Sequence, residues 1–300
     1  MASGGTVEIV HGEARATIAR RGAEALAWRA GGAEMLWSPD ARHWDATAPI
    51  LFPVCGWTRG GVARVGGQTY PLGLHGFARF EDFEVATRGE DYVRMVLRDN
   101  EATRARFPFS FELSIRYRVA ASRLDVLARV TNTGAAIMPY ALGLHPGFRW
   151  PLFGGDKRDY SIRFDAPQRR DVPVIATGGL FSTRRRPVAF AEDGSLPLSD
   201  ATFANEALCF LDRVGAALEY RGPGGKGLRV ATSNFPHTVL WSRPGAPFLC
   251  VESWSGHGDP EEFVGELADK PSMRLLAPGE SGRHHARYEL LDAAGRSVES

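Results

Sequence analysis

Two of the eight histidines stand where acid–base chemistry could be done. His75 lies in Leu74-His75-Gly76-Phe77-Ala78-Arg79, and His145 in Leu142-Gly143-Leu144-His145-Pro146-Gly147-Phe148. Histidine is the side chain whose unperturbed pKa sits nearest neutrality. Each of these two follows a short apolar run and precedes a glycine within two residues. A histidine at a strand end, beside backbone that carries no side chain, can meet a ligand closely. The competing role is a turn histidine that caps a strand. Glu252, in Cys250-Val251-Glu252-Ser253-Trp254, ends an apolar run that starts at Phe248. A carboxylate there has to be paired, hydrogen-bonded or facing a cleft. Glu280 follows Pro278-Gly279, a type II turn signal, where the usual outcome is a solvated loop residue. Glu206 opens another apolar segment. Arg59 and Arg79 each offer a planar fork of donors that suits hydroxyls, carboxylates or phosphate, against the plainer role of a surface ion pair. The seven tryptophans include Trp37, Trp44, Trp57, Trp150, Trp241 and Trp254, several beside these residues. Flat aromatic faces pack on the C–H faces of sugars, and they also fill ordinary cores.

Other chemistries lack their signatures. No G-x-G-x-x-G follows a strand, and no phosphate-cradling loop ends in Lys-Ser/Thr. No G-x-S-x-G nucleophile elbow is present. The histidines lack metal-ligand spacing, and Cys55, Cys209 and Cys250 are too far apart for a C-x-x-C pair, so no metal and no cofactor are expected. Lys plus Arg is 36 against 35 Asp plus Glu, a net charge of +1, which argues against general nucleic-acid or anionic-membrane binding. No basic start followed by an apolar run marks a leader, and no run approaches 18 apolar residues. The expectation is a cytoplasmic protein with buried, reduced thiols.

The elements that must position these residues read as strands. Ile115, Tyr117 and Val119 alternate with polar neighbours, as do Leu124, Val126, Ala128 and Val130, with a short turn at Ala120–Arg123 between them. Gly31-Gly32, Gly66-Gly67, Gly89 and Gly222-Pro223-Gly224-Gly225 break similar alternating runs as hairpin turns would. Helical signal is limited to short pieces at Asp40–Asp45 and Glu261–Asp269. About 17 to 20 short strands fit the 300 residues, more than an immunoglobulin-like sandwich holds. The expected fold class is all-β, a large antiparallel β-sandwich. The stretch Pro151–Leu198 carries the weakest pattern, and one domain over residues 1–300 is preferred to two.

An ordered set of segments then resembles the aldose 1-epimerase (mutarotase) family, of the galactose mutarotase-like superfamily. The set runs through Pro49–Val54, Tyr70-Pro71-Leu72, His75–Arg79, Phe107-Pro108-Phe109, Val130-Thr131-Asn132, Gly143–Phe148, Pro247–Glu252 and Leu276–Glu280, over about residues 8 to 292. The resemblance implies a single-domain supersandwich and a small-molecule sugar substrate. It implies a catalytic His at His145, a catalytic Glu at Glu280 and a sugar-polarising His at His75. It further implies a sugar-binding Arg at Arg59 and an acidic hydroxyl ligand at Glu206, where Asp is more usual. Arg79 and Arg59 could serve a phosphate, because enzymes with a His-Gly-Phe-Ala-Arg motif include some acting on hexose 6-phosphates. The implied reaction is anomer interconversion by ring opening, with Glu280 as base and His145 as acid. A non-catalytic sugar-binding protein on the same scaffold, and a glycoside hydrolase or lyase using Glu252 with Glu280, are the competing readings. Oligomeric state is left open.

Overall fold

The computed structural model describes residues 5–211 and 214–298. The alternating runs pair as antiparallel strands. Phe111–Ala120 and Arg123–Asn132 form a hairpin in continuous register from Phe111↔Asn132 to Ala120↔Arg123. Leu113, Ile115, Val126, Ala128 and Val130 are buried, while Arg118 and Leu127 point to solvent. Every second side chain of a strand shares a face, so the sequence pattern alone orients this hairpin.

The hairpin lies within a nine-stranded antiparallel sheet. Its order is Leu196–Pro197, Ser161–Phe164, Ala217–Arg221, Gly227–Ser233, Ser281–Leu291, Arg123–Asn132, Phe111–Ala120, Tyr92–Arg98 and Glu84–Arg88. A smaller sheet is built on Phe248–Trp254, a strand buried at all seven positions. One flank carries His237–Trp241 and then Leu208–Phe210. The other carries Gly143–Leu144, then Ile50–Leu51, with Gly147–Arg149 pairing further along the same central strand. A four-stranded sheet, Thr6–His11 to Ala33–Glu34, packs at the N-terminal end.

The two large sheets face each other across one core. Phe148 beside the smaller sheet meets Tyr288 of the larger at 5.4 Å between ring centroids, and Phe52 meets Phe111 at 4.9 Å. Offset and tilted ring pairs at these distances add to the burial of the rings themselves. Among the described residues the α-helix is a single four-residue piece, Glu101–Arg104, whose N-cap Asn100 accepts the Thr103 N–H at 2.9 Å. Asp40–Asp45 is a turn, and Glu261–Asp269 contains one tight turn at Leu267–Asp269. All three cysteines are buried as thiols. Among the described residues no helix is long and apolar enough to cross a membrane.

Candidate active site

Period-two geometry divides the central strand between two environments. Leu249 and Val251 point into the inter-sheet core, whereas Cys250, Glu252 and Trp254 point to the opposite face. The flanking strands follow suit. Leu240 packs in the core while Val239 and Trp241 turn to the Glu252 face, and Cys209, paired with Val239, joins them. These side chains form the floor of a cavity of about 550 Å³ on the outer side of the smaller sheet.

On the other flank, Gly143 pairs with Trp254, Leu144 with Ser253 and Gly147 with Cys250. That constant register puts His145 directly across from Glu252. Directly opposed residues in an antiparallel pair have neighbouring side chains on the same face. The imidazole Nε2 is 3.3 Å from the Glu252 Oε2. Glu252 is 2% exposed, and the Trp254 indole N–H donates to its Oε2 at 2.9 Å. Burial pushes the Glu252 carboxyl well above the usual range, and the Trp254 hydrogen bond pulls against that. Burial likewise holds His145 down, to about 3, its own backbone opposing and the Arg79 charge adding to the effect. Trp44 stacks on the His145 ring at 5.0 Å and 26°, and Trp241 meets it edge-on at 5.8 Å. Trp44 is carried by a loop that Glu24 ties down, its carboxylate accepting the Thr47 and Ala48 N–H groups at 2.6 and 2.8 Å.

His75 enters from a turn. Its φ is +62°, and Gly76 follows at +69°, where an added Cβ would lie 2.3 Å from the Phe52 carbonyl oxygen. Left-handed backbone at a histidine is uncommon and persists only where its surroundings hold it. Here the Gly56 N–H donates to Nδ1 at 3.0 Å, while the His75 N–H donates to the Gly56 carbonyl at 2.9 Å. With Nδ1 accepting, the neutral ring carries its proton on Nε2 and can donate it. Burial, then the nearby His145 and Arg79 charges, hold His75 well below its ordinary pKa and so in that neutral form. Its ring meets His145 edge-on at 5.5 Å.

Arg79 and Glu206 also line the cavity. The Arg79 guanidinium lies over the Phe80 ring at 4.5 Å, and its Nε is buried without a hydrogen-bond partner among the described residues. Glu206 is exposed, with φ +69°, and its backbone carbonyl accepts from Arg186 at 3.0 Å. The far wall is the tip of a hairpin, Asp171–Ile175 with Phe181–Pro187. Gly179 at that tip packs directly on the Trp57 indole. Among the described residues no group of three or more His, Cys, Asp or Glu is arranged to hold a metal ion.

Two residues named by the sequence resemblance do not reach this cavity. Glu280 is an exposed residue of the Ala277–Glu280 turn. Its N–H donates to the Ala277 carbonyl at 3.0 Å, and its carboxylate accepts the Ala277 N–H at 2.8 Å, so it braces its own turn. Arg59 turns away, donating through Nε to the Phe263 carbonyl at 3.2 Å and through its backbone N–H to Asp259 at 2.8 Å. The carboxylate that the fold sets beside His145 is Glu252.

The family described as Aldose 1-epimerase matches residues 5–289. The chain belongs to the aldose 1-epimerase family. It is 33% identical over 273 residues to the LacX protein of Lactococcus lactis subsp. lactis, covering 87% of this chain and 91% of that one. A crystal structure of a galactose mutarotase-like protein from Lactobacillus casei superposes with a TM-score of 0.88 at 28% identity, covering 95% of this chain and all of the other. A galactose mutarotase related enzyme from Lactobacillus acidophilus gives 0.89 at 27% identity over 99% of this chain and all of its own. The antiparallel supersandwich is therefore the fold of this member of the aldose 1-epimerase family.

Three parts of the cavity escape a reading of single residues. Trp254 is signalled by the alternation Cys250, Glu252, Trp254 on one strand face. The hairpin tip carries Gly178-Gly179, the same paired-glycine signal as the other hairpins. Arg243 carries no local signal, since a loop brings it to the cavity.

Proposed function

We propose that the protein interconverts the α and β anomers of an aldose by acid–base-assisted opening and closure of the sugar ring. Glu252 takes the proton of the anomeric O1–H, and His145 gives one to the ring oxygen. The C1–O bond to the ring oxygen breaks, C1 becomes the aldehyde carbon, rotation about C1–C2 presents its other face, and the reverse transfers reclose the ring. The observation that carries this reading is the His145–Glu252 pair at 3.3 Å in an indole-walled cavity. O1 and the ring oxygen are bonded to the same carbon, so one acid and one base must lie side by side. Burial favours the neutral form of each group, so the reactive form is the ion pair of Glu252 carboxylate and His145 imidazolium at 3.3 Å, in which the carboxylate is a stronger base and the imidazolium a stronger acid than in water. His75, neutral with a proton on Nε2, is suited to polarise a sugar oxygen, and Arg79 and Glu206 to hold hydroxyls.

Hydrolysis is the weaker reading. It normally needs two carboxylates flanking the bond, and Glu280 does not share the cavity with Glu252. A sugar phosphate is the second substrate reading, since Arg79 and Arg243 both line the cavity. Polarimetry of freshly dissolved α-glucose, α-galactose and glucose 6-phosphate tests these. The expected result is faster equilibration than in buffer for at least one sugar, and a loss of about 10²-fold or more in kcat for Glu252→Gln and for His145→Asn. Equilibration at the buffer rate for every aldose, with sugar binding retained, would leave a carbohydrate-binding protein and sink the enzyme reading.

A further inference from the structure

Glu252 and Trp254 lie two residues apart on one strand, so their side chains share a face and the indole reaches back to the carboxylate. The bond is enclosed, with Trp254 only 5% exposed. The indole itself is held on two sides. The His75 ring meets it edge-on at 5.6 Å, and the missing side chain of Gly143 leaves room for its Cδ1. Both the indole N–H and the His145 Nε2 address the same oxygen, Oε2. An indole nitrogen donates and never accepts, so this contact has one sense at every pH.

We propose that Trp254 is a positioning residue whose N–H fixes Glu252 through Oε2 and leaves Oε1 as the oxygen that takes the sugar's proton. The proposal rests on Glu252 being the base of the reaction above. The charged and titratable groups around Glu252 are His145 across the ladder, His75 and Arg79 from the turn, Cys209 on the next strand, Cys55 after Ile50–Leu51, Cys250 on its own strand, and Glu206 and Arg243, which line the same cavity. Burial holds the three thiols up and therefore neutral. A hydrogen bond donated to a carboxylate favours its charged form, so losing the bond raises the pKa of the base.

Trp254→Phe keeps an aromatic ring and removes the N–H. The acid limb of the kcat–pH profile is expected to move up by about one unit, and kcat on that limb to fall about tenfold with KM little changed. Carbon-13 titration of the Glu252 carboxyl reads the same upward shift without any turnover. In the unaltered protein, the Trp254 indole proton resonance is expected to follow that titration, which covers the case of a variant that does not fold. A kcat loss with an unmoved pH profile, an unmoved carboxyl titration, or an indole resonance indifferent to it would each overturn the role. If the unaltered protein accelerates no anomerisation, the proposed reaction fails, and the carboxyl and indole titrations alone decide on Trp254.

Discussion

A carboxyl that is 2% exposed has given up nearly all its hydration, and at Glu252 an indole N–H and a facing imidazole replace it. Glu280 keeps its water and spends one oxygen on its own turn. The same substitution therefore separates the two. Glu280→Gln is expected to keep kcat within about twofold and to lose at most about 1 kcal/mol, because an amide oxygen can still accept the Ala277 N–H. Paired measurements of kcat and Tm check this, and a kcat loss like that of Glu252→Gln would return the turn glutamate to the mechanism. His75 and His145 are legible in the sequence because each stands beside glycine at a strand end. Glu252 is legible as a residue that needs a partner. Which glutamate meets His145 is not, because that depends on the register between strands far apart in the chain. A Pro-Gly-Glu turn is a strong local signal, but it says nothing about what the glutamate faces.

Between Gly143–Leu144 and Gly147–Arg149, both glycines make room for an indole. A Cβ on Gly143 would lie 3.0 Å from the Trp254 Cδ1, and one on Gly147 would lie 2.8 Å from the Trp44 Cζ3 and 3.3 Å from the Thr47 carbonyl oxygen. Neither glycine has positive φ, so alanine is allowed by the backbone and its effect comes through contact alone. Gly147→Ala is expected to fold, to push Trp44 off the His145 ring and to lower kcat by about tenfold, the size of a weakened proton transfer. Stopped-assay kinetics with indole fluorescence would check this, and full activity with an unshifted emission would show that the stacking does not matter. At this scale the hairpins marked by paired glycines are legible almost to the residue, as at Ala25–Ala30 with Ala33–Glu34 and Val62–Val65 with Gln68–Pro71. The cavity hairpin is not, although it carries Gly178-Gly179. Its register shifts between Pro173 and Ile175, which breaks the alternation that would reveal a strand.

Taken whole, the molecule sets the candidate site on the outer face of the smaller sheet and uses the nine-stranded sheet to bury the other face. The all-β class follows from the alternation, but the strand order does not. Ser281–Leu291 lies between Gly227–Ser233 and Arg123–Asn132, a pairing that no local pattern announces. One cost of this packing is a set of histidines kept neutral by burial. His145 is lowered to about 3 and His284 to about 4, while His75 and His257 are also lowered, each mainly by desolvation. His284 is suited to neutrality, since its Nδ1–H donates to the Asn234 carbonyl and its Nε2 accepts from the Tyr140 hydroxyl, both at 2.9 Å. A histidine with a depressed folded pKa contributes stability that is present above about 6.5 and lost as pH falls toward the folded value. For His284 the loss at pH 5 is about 2 kcal/mol. Glu252 runs the other way, because its raised pKa adds stability on acidification. The net expectation is a Tm lower at pH 5 than at pH 7. His284→Gln lowers Tm at pH 7 yet makes its fall with pH shallower, because the variant no longer has this proton to refuse. Thermal unfolding followed at pH 7, 6 and 5 for both proteins tests the account. Equal Tm values across that range, or the same slope with and without His284, would mean that buried histidines do not govern the acid sensitivity of this fold.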